Sequence, residues 1–215
     1  MKLIRTFRKN IWANYFVLFT RLLIGFAFIP SGLINLYGKP FTLLPKTDPV
    51  GYFFDAMYGT GVYWNFLRFC QLLAAFLLMS QKYASLGAVL FGIIVNIFLI
   101  TYGIGFGNTT IISFLMLIAA TGLIFWDWQK FALIFEDFTY SRNVKIDNDF
   151  ISKKWNTYGL SIFIFLTLLC SLPYVVKDIH RFSAFYVLMP FTIVSTSFIY
   201  ILYKDLHEVK RNKKI

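Results

Sequence analysis

Charged residues are scarce in this chain. They make up 14% of its 215 residues, whereas a soluble domain contains about 25%. Cysteine is rarer still: Cys70 and Cys170 both fall within apolar stretches and form no C-x-x-C pair. The sequence therefore offers neither a disulfide framework nor a cysteine-based metal or redox motif. The low charge content argues against a soluble globular protein.

Catalytic motifs are also missing. The sequence contains no HExxH, GxSxG or P-loop pattern, which are typical of zinc proteases, serine hydrolases and nucleotide-binding proteins. Its two histidines, His180 and His207, are predicted to lie on opposite sides of a membrane, so they do not form one metal site. No histidine falls within an apolar stretch, where a haem ligand would be needed. We therefore expect no metal and no haem, and the sequence favours a non-catalytic protein.

Apolar sequence is what the chain has in abundance, with 58% hydrophobic residues. Six runs are each close to the roughly 20 residues that a helix needs to cross the hydrocarbon core. Backbone amides in lipid must be satisfied within their own segment, so these runs should be helices. The pattern predicts an all-α membrane protein, a six-transmembrane helix bundle. The runs are Phe16–Tyr37, Val62–Met79, Ala84–Tyr102, Thr109–Trp126, Tyr158–Val176 and Ala184–Tyr203.

The net charge of +11 follows the predicted topology rather than a nucleic-acid surface. With a cytoplasmic amino terminus, most of the 21 lysines and arginines fall on the cytoplasmic side of the six spans. This asymmetry is the positive-inside pattern, so both termini should be cytoplasmic. We expect no nucleic-acid partner. The Phe-, Ile-, Lys- and Asn-rich composition favours a bacterial origin, so with six predicted spans we expect a multi-pass protein of the bacterial inner membrane.

Three parts of the chain are predicted. Residues 1–128 should form a four-helix membrane core, residues 129–157 a cytoplasmic loop, and residues 158–215 two further spans with a basic tail. Within the core, Asp48 followed by Pro49 is typical of a helix start. The aromatic segment that it opens, residues 48–58, either lies at the membrane surface or folds over the bundle as an outer lid.

Ionisable side chains within apolar helices are costly and are candidates for function. Arg68 shares one face of the second run with Trp64 and Gln71, because these residues are spaced by four and three positions. Two interpretations of Arg68 are open: it extends toward the headgroups, or it is buried and binds Asp55 or the anionic group of a ligand. Arg21, at the opposite membrane boundary, is expected to extend toward headgroups.

Amides in the outer halves of the first three runs extend this candidate site. They either form hydrogen bonds between helices or line one polar pocket beneath the lid segment. The predicted ligand-binding residues are Asn35, Asp55, Trp64, Arg68, Gln71 and Asn96.

A family resemblance runs through residues 17–128. The stretch Arg21–Leu36, with its arginine, glycine and later Ser-Gly pair, resembles the opening span of DoxX-like membrane proteins. The segments Asp48–Ala56 and Tyr63–Ala75 are similar to the next part of some members. The resemblance implies a DoxX-like four-helix core, to which this chain adds two C-terminal helices.

Two positions depart from that family pattern. Where the family often has a lysine after Ser-Gly, this chain has Asn35, and where it often has a glutamate in the second span, this chain has Gln71. Both ends of a possible ion pair are neutral here, so neither charge is stranded in lipid. The family includes subunits of quinone-linked oxidoreductases and partners in redox stress.

Three functions fit these observations. The chain can be a membrane subunit or interaction protein, with a protein partner or a second copy of itself. It can bind a hydrophobic or amphipathic small molecule, such as a lipid or a quinone. It can also be a quinone-linked redox subunit of an oxidoreductase complex, with a partner that supplies electrons. We expect a non-catalytic protein of the first or second kind, or one that combines both roles.

Overall fold

The computed structural model describes residues 6–36, 44–105, 107–135, 153–175 and 184–212. These residues form helices and a few turns and contain no strand. The helices are α1 (Ile11–Leu36), α2 (Pro49–Gly59), α3 (Val62–Met79), α4 (Ala84–Gly105), α5 (Gly107–Trp126), α6 (Trp128–Phe135), α7 (Lys153–Val175) and α8 (Ala184–Asn212). The prediction of an all-helical protein is confirmed over this part of the chain.

Several of these helices are apolar enough for a membrane. Three have both the length and the composition to cross one, over Ile11–Leu33, Val62–Met79 and Lys154–Leu172. Helices α4 and α5 contribute shorter apolar stretches, Ala84–Val95 and Thr110–Trp126, where only the described residues are counted. The helices therefore have the character of a membrane protein.

The chain divides into two compact units, residues 1–164 and 165–215, with the boundary inside α7. In the first unit, α3 packs between α1 and α4, and α4 also packs on α5. Helix α2 contacts both α3 and α4. The second unit contains the end of α7 and helix α8, which includes Pro190.

Close contact between α1 and α3 depends on two glycines of α1. A Cβ atom on Gly25 would lie 2.5 Å from Cγ of Met79, and one on Gly32 would lie 2.7 Å from Cγ of Leu72. Side chains do not approach this closely, so the two helix backbones meet where glycine leaves room. Four residues of α1 share one face by their spacing of four, three and four positions, and all of them are buried. They are Arg21, Gly25, Phe28 and Gly32.

Helix α4 uses small residues on two faces. Small residues spaced by four positions form a buried ladder at Ala84, Ala88 and Gly92, and a Cβ on Gly92 would lie 3.8 Å from the Cβ of Ala120 in α5. Gly87, which is outside the ladder, makes the closer contact with α3, because a Cβ there would lie 2.8 Å from the backbone nitrogen of Leu78. Helix α4 thus holds α3 and α5 at short range.

Helix α2 begins where the sequence predicts. The Asp48 carboxylate caps it by accepting hydrogen bonds from the amides of Val50 (2.8 Å) and Gly51 (3.4 Å), and Pro49 occupies the first helical turn. The helix buries Val50 and Phe54 and contacts α3 and α4. The segment therefore packs on the bundle, and the prediction that it acts as an outer lid stays a prediction.

Helical structure extends five or more residues further than the sequence predicts in four places. Helix α1 begins at Ile11 rather than Phe16, part of the predicted loop 129–157 forms α6, helix α7 begins at Lys153 rather than Tyr158, and α8 continues beyond Tyr203 to Asn212. No glycine or proline interrupts residues 153–157 or 204–212, so the helices continue into polar sequence. Hydrophobicity alone marks only the apolar part of each helix.

Candidate functional site

The Arg68 side chain is fully buried, with 0% of its surface exposed. Its Nη1 donates to Oγ of Ser31 (3.0 Å), to the backbone carbonyl of Ser31 (3.1 Å) and to Oε1 of Gln71 (2.9 Å). These bonds join α3 to α1. The interpretation in which Arg68 extends toward headgroups is wrong, because the guanidinium reaches across to a neighbouring helix.

An aromatic layer covers this guanidinium. The Trp64 ring centroid lies 3.9 Å from Cζ of Arg68, a cation–π contact of the kind that contributes about 2 kcal/mol when desolvated. Trp64 is itself buried and meets two rings of α2 edge-on, Phe54 at 6.3 Å and Tyr58 at 6.5 Å between centroids. Helix α2 therefore closes this end of the bundle through Trp64. We call Ser31, Trp64, Arg68 and Gln71 the Arg68 cluster.

The orientation of the Gln71 carboxamide follows from its donors. Its Oε1 accepts from Arg68 and from the hydroxyl of Ser31 (3.3 Å), so its Nε2 is left as a donor. This nitrogen is buried and meets no acceptor among the described residues. Buried polar groups normally have partners, and an unmet one costs about 1–3 kcal/mol. The Arg68 cluster is thus rich in donors, and the oxygens that Nη1 meets are uncharged.

Asp55 does not join the Arg68 cluster. Its carboxylate pairs with Lys46 at 2.8 Å, and both side chains are substantially exposed. The predicted alternative of an Arg68–Asp55 ion pair is therefore not found, because α2 turns this position away from its buried face. The predicted roles of Asn35 and Asn96 concern side chains that lie outside the described part of the structure.

A second buried cluster surrounds Asp127, which links α5 to α6. Its Oδ2 accepts hydrogen bonds from Arg21 of α1 (2.8 Å) and from the hydroxyl of Ser85 of α4 (2.8 Å). Its Oδ1 lies 3.2 Å from Nη2 of Arg8 and 3.6 Å from Nζ of Lys130. One carboxylate therefore ties together the segment before α1, α1 itself, α4 and α6.

Gln81 completes this second cluster from the turn after α3. Its Oε1 accepts from Arg21 (3.2 Å), and its Nε2 is buried without an acceptor among the described residues. Its φ of 60° is uncommon for a residue other than glycine. Arg8 in addition donates to the backbone carbonyl of Trp126, at the end of α5. We call Arg8, Arg21, Gln81, Ser85, Asp127 and Lys130 the Asp127 cluster.

The prediction for Arg21 is wrong, since its side chain is 2% exposed and bonds Asp127 instead of extending to headgroups. The sequence does carry one signal of this pairing. Besides Asp48 and Asp55, Asp127 is the only acidic residue in the first 135 positions. A lone carboxylate at the end of an apolar run needs a cationic partner, and Arg21 is the arginine nearest the same membrane boundary.

Neither cluster has the composition of a metal site. No group of three or more histidine, cysteine, aspartate or glutamate side chains comes together within the described residues. Both cysteines are free thiols. Both clusters instead present hydrogen-bond donors, which suit an incoming oxygen acceptor. Comparisons of the chain with protein-family models, curated proteins and solved structures give no match.

Proposed function

We propose that this protein spans a bacterial inner membrane six times and binds an amphipathic small molecule at the Arg68 cluster. The observation that carries the proposal is the buried Nε2 of Gln71, a donor that meets no acceptor among the described residues. A ligand with a carbonyl, carboxylate or phosphate oxygen would supply that acceptor. The guanidinium of Arg68, beside it at 2.9 Å from Oε1, would favour an oxygen with negative charge.

The apolar part of the ligand would run along the helices. Leu67, Leu72 and Ala75, which adjoin the cluster along α3, offer no polar atom beyond their backbone. Ligand sites in helical bundles combine such apolar walls with a few convergent polar groups. Helix α2, packed on Trp64 through Phe54, is placed to act as the lid over the polar head.

The proposed membrane arrangement uses α1, α3, α4, α5, α7 and α8 as spans. Each contains at least 18 residues. The distribution of basic residues favours cytoplasmic termini. In that orientation the Arg68 cluster belongs to the outer half of the bilayer and the Asp127 cluster to the cytoplasmic boundary.

A quinone or a lipid is the proposed ligand class. Quinone carbonyls and lipid ester or phosphate oxygens are acceptors, and both molecules carry long apolar tails. The DoxX-like resemblance over residues 17–128 adds weight to a quinone, because that family includes subunits of quinone-linked oxidoreductases. In such a complex the quinone would be the cofactor and a protein partner would supply electrons.

The test is native mass spectrometry of the full chain purified in mild detergent, followed by lipid and quinone extraction from the same sample. The wild type should carry a stoichiometric small molecule with an acceptor head. Gln71→Leu has nearly the same volume and lacks both polar atoms of the carboxamide, so it should lose that molecule.

Asn65→Leu is the matched control, because it removes an exposed amide from the same helix outside the cluster. This variant should retain the molecule. A wild-type protein whose measured mass is that of the polypeptide alone would refute the proposal. Equal retention by Gln71→Leu and Asn65→Leu would place any bound molecule elsewhere.

A further inference from the structure

We propose that the Asp127 cluster is a binding site for a phosphate group, either on an anionic phospholipid or free in solution. The charges of the cluster carry this inference first. Arg8, Arg21 and Lys130 all lie within ion-pair distance of the Asp127 carboxylate, so the named side chains of the cluster sum to a formal charge of +2. Cations gathered at low dielectric attract an anion more strongly than the same cations in water.

Hydrogen-bond donors also exceed acceptors in this cluster. The Nε of Arg8 and the Nε2 of Gln81 are both buried and meet no acceptor among the described residues. Gln81 is 1% exposed, and its Oε1 is fixed toward Arg21, so the amide nitrogen cannot exchange places with the oxygen. A phosphate group brings several acceptor oxygens together with negative charge, and guanidinium groups bind it with high geometric preference.

The two oxygens of Asp127 divide the cluster into a closed and an open side. Oδ2 is held by Arg21 and Ser85 in the interior, whereas Oδ1 faces Arg8 and Lys130. The side chains of Arg8 and Lys130 are 12% and 26% exposed, so the anion approaches between them. Arg21 and Asp127 then serve as positioning residues that hold the open side in place.

The surroundings favour a lipid as the source of the phosphate. Trp126 and Trp128 flank the carboxylate in sequence, and indole rings prefer the membrane–water interface. In the proposed orientation this is the cytoplasmic boundary, where lipid phosphates lie. The inference concerns a site at the opposite end of the bundle from the Arg68 cluster and does not depend on any ligand there.

The test measures lipid binding to the full chain by native mass spectrometry, with phosphatidylglycerol and phosphatidylcholine titrated separately. Both lipids contain a phosphate, but only phosphatidylglycerol has net negative charge, and it should bind the wild type at least about tenfold more tightly. Lys130→Gln should weaken phosphatidylglycerol binding about tenfold, the ratio that one charge-assisted hydrogen bond supports. Gln81→Glu adds a carboxylate inside the cluster and should abolish that preference while the protein stays folded.

Lys82→Gln is the matched control, since it removes one exposed positive charge from the residue next to Gln81 but outside the cluster. It should leave phosphatidylglycerol binding within about twofold of the wild type. An equal loss in Lys82→Gln and Lys130→Gln would overturn the proposal in favour of general surface attraction. Unchanged lipid preference in a cooperatively melting Gln81→Glu protein would overturn it as well.

Inorganic phosphate distinguishes the two sources. If millimolar phosphate displaces phosphatidylglycerol from the wild type and binds alone, the site takes the free anion. If phosphate has no effect while the lipid preference depends on Lys130, the site takes the lipid headgroup. If neither phosphate nor phosphatidylglycerol binds in a manner that depends on Lys130, the proposal fails.

Discussion

Arg21 and Arg68 are both buried in the helical core, but their guanidinium groups are bound by different kinds of partner. Arg21 bonds a carboxylate, Asp127, at 2.8 Å, whereas the oxygens that Nη1 of Arg68 meets belong to Ser31 and Gln71 and are neutral. Both guanidinium groups lie between helices and are shielded by protein. The comparison separates a guanidinium bound to a carboxylate from one whose Nη1 meets only neutral oxygens, which is the difference that the proposed ligand site at Arg68 rests on.

Energetics explain why this difference matters. A buried ion pair is costly to desolvate, but removal of one partner leaves an uncompensated charge that costs about 3–5 kcal/mol. The Asp127 cluster is therefore expected to stabilise the packing of the four segments that it joins. In the Arg68 cluster, Nη1 meets neutral oxygens, and the Trp64 ring that covers the guanidinium contacts Tyr58 of α2.

The largest effect is expected from Asp127→Asn, which removes the negative charge of the Asp127 cluster but keeps the shape of the side chain. Arg8 and Arg21 then lose their shared counter-charge, and the free energy of unfolding should fall by about 3–5 kcal/mol. Denaturant titration in mixed detergent micelles measures this change. A loss of unfolding free energy below about 1 kcal/mol would contradict the proposed contrast between the clusters, since an exposed ion pair contributes that much.

The next largest loss of stability is expected from the packing of α7 against the end of α3, close to the Asp127 cluster. A Cβ added at Gly159 of α7 would overlap the backbone oxygen of Met79, at the end of α3 and two residues before Gln81. Gly159→Ala should therefore destabilise the protein by about 1–3 kcal/mol, a typical cost of overpacking. Gly122→Ala in α5 is the control, because nothing lies within 4 Å of its added Cβ. Thermal unfolding of the two variants should separate them clearly; equal midpoints would contradict the tight packing at this end.

Gln71→Glu gives the Arg68 cluster a carboxylate, the group that distinguishes the Asp127 cluster from it. The new carboxylate would lie where Oε1 of Gln71 now accepts from Arg68 at 2.9 Å. A hydrogen bond to a charged group contributes more than a neutral one, so the unfolding free energy should rise by about 1 kcal/mol. Chemical denaturation gives this value, and a marked destabilisation would show that the Arg68 cluster already contains its own anion.

The smallest effect is expected at the exposed pair of Lys46 and Asp55. Asp55→Asn should change the free energy of unfolding by less than about 1 kcal/mol, because solvent screens the two side chains. The measurement is the same denaturant titration used for Asp127→Asn. A loss as large as that of Asp127→Asn would mean that burial does not explain the difference between the two aspartates.

Much of the helical framework can be predicted from sequence. Long apolar runs give α1, α3, α4 and α5 to within a few residues, and the Asp48–Pro49 pair gives the start of α2. The shared face of Trp64, Arg68 and Gln71 also follows from helical spacing, and all three are buried, which for Arg68 is one of the two interpretations that the sequence leaves open. Helix α6 and the polar ends of α7 and α8 are missed, because the length of an apolar run does not reveal helical turns that are amphipathic or polar.

Partners across helices cannot be predicted in the same way. Arg21 and Asp127 are 106 positions apart, and Ser31 and Arg68 are 37 apart. Their contacts depend on how α1 and α4 pack against α3, where Gly25 of α1 and Gly87 of α4 allow close approach. The fate of Arg21, extended or paired, therefore depends on three-dimensional packing that its local sequence does not specify.

The most direct test of this contrast compares thermal unfolding before and after exhaustive detergent exchange, which strips bound small molecules. We predict that the wild type loses stability on stripping, because the Arg68 cluster then lacks the acceptor that its ligand supplied. Gln71→Glu carries an acceptor of its own and should show little change. Equal losses in both proteins, or no loss in the wild type, would contradict the assignment of the Arg68 cluster as the ligand site.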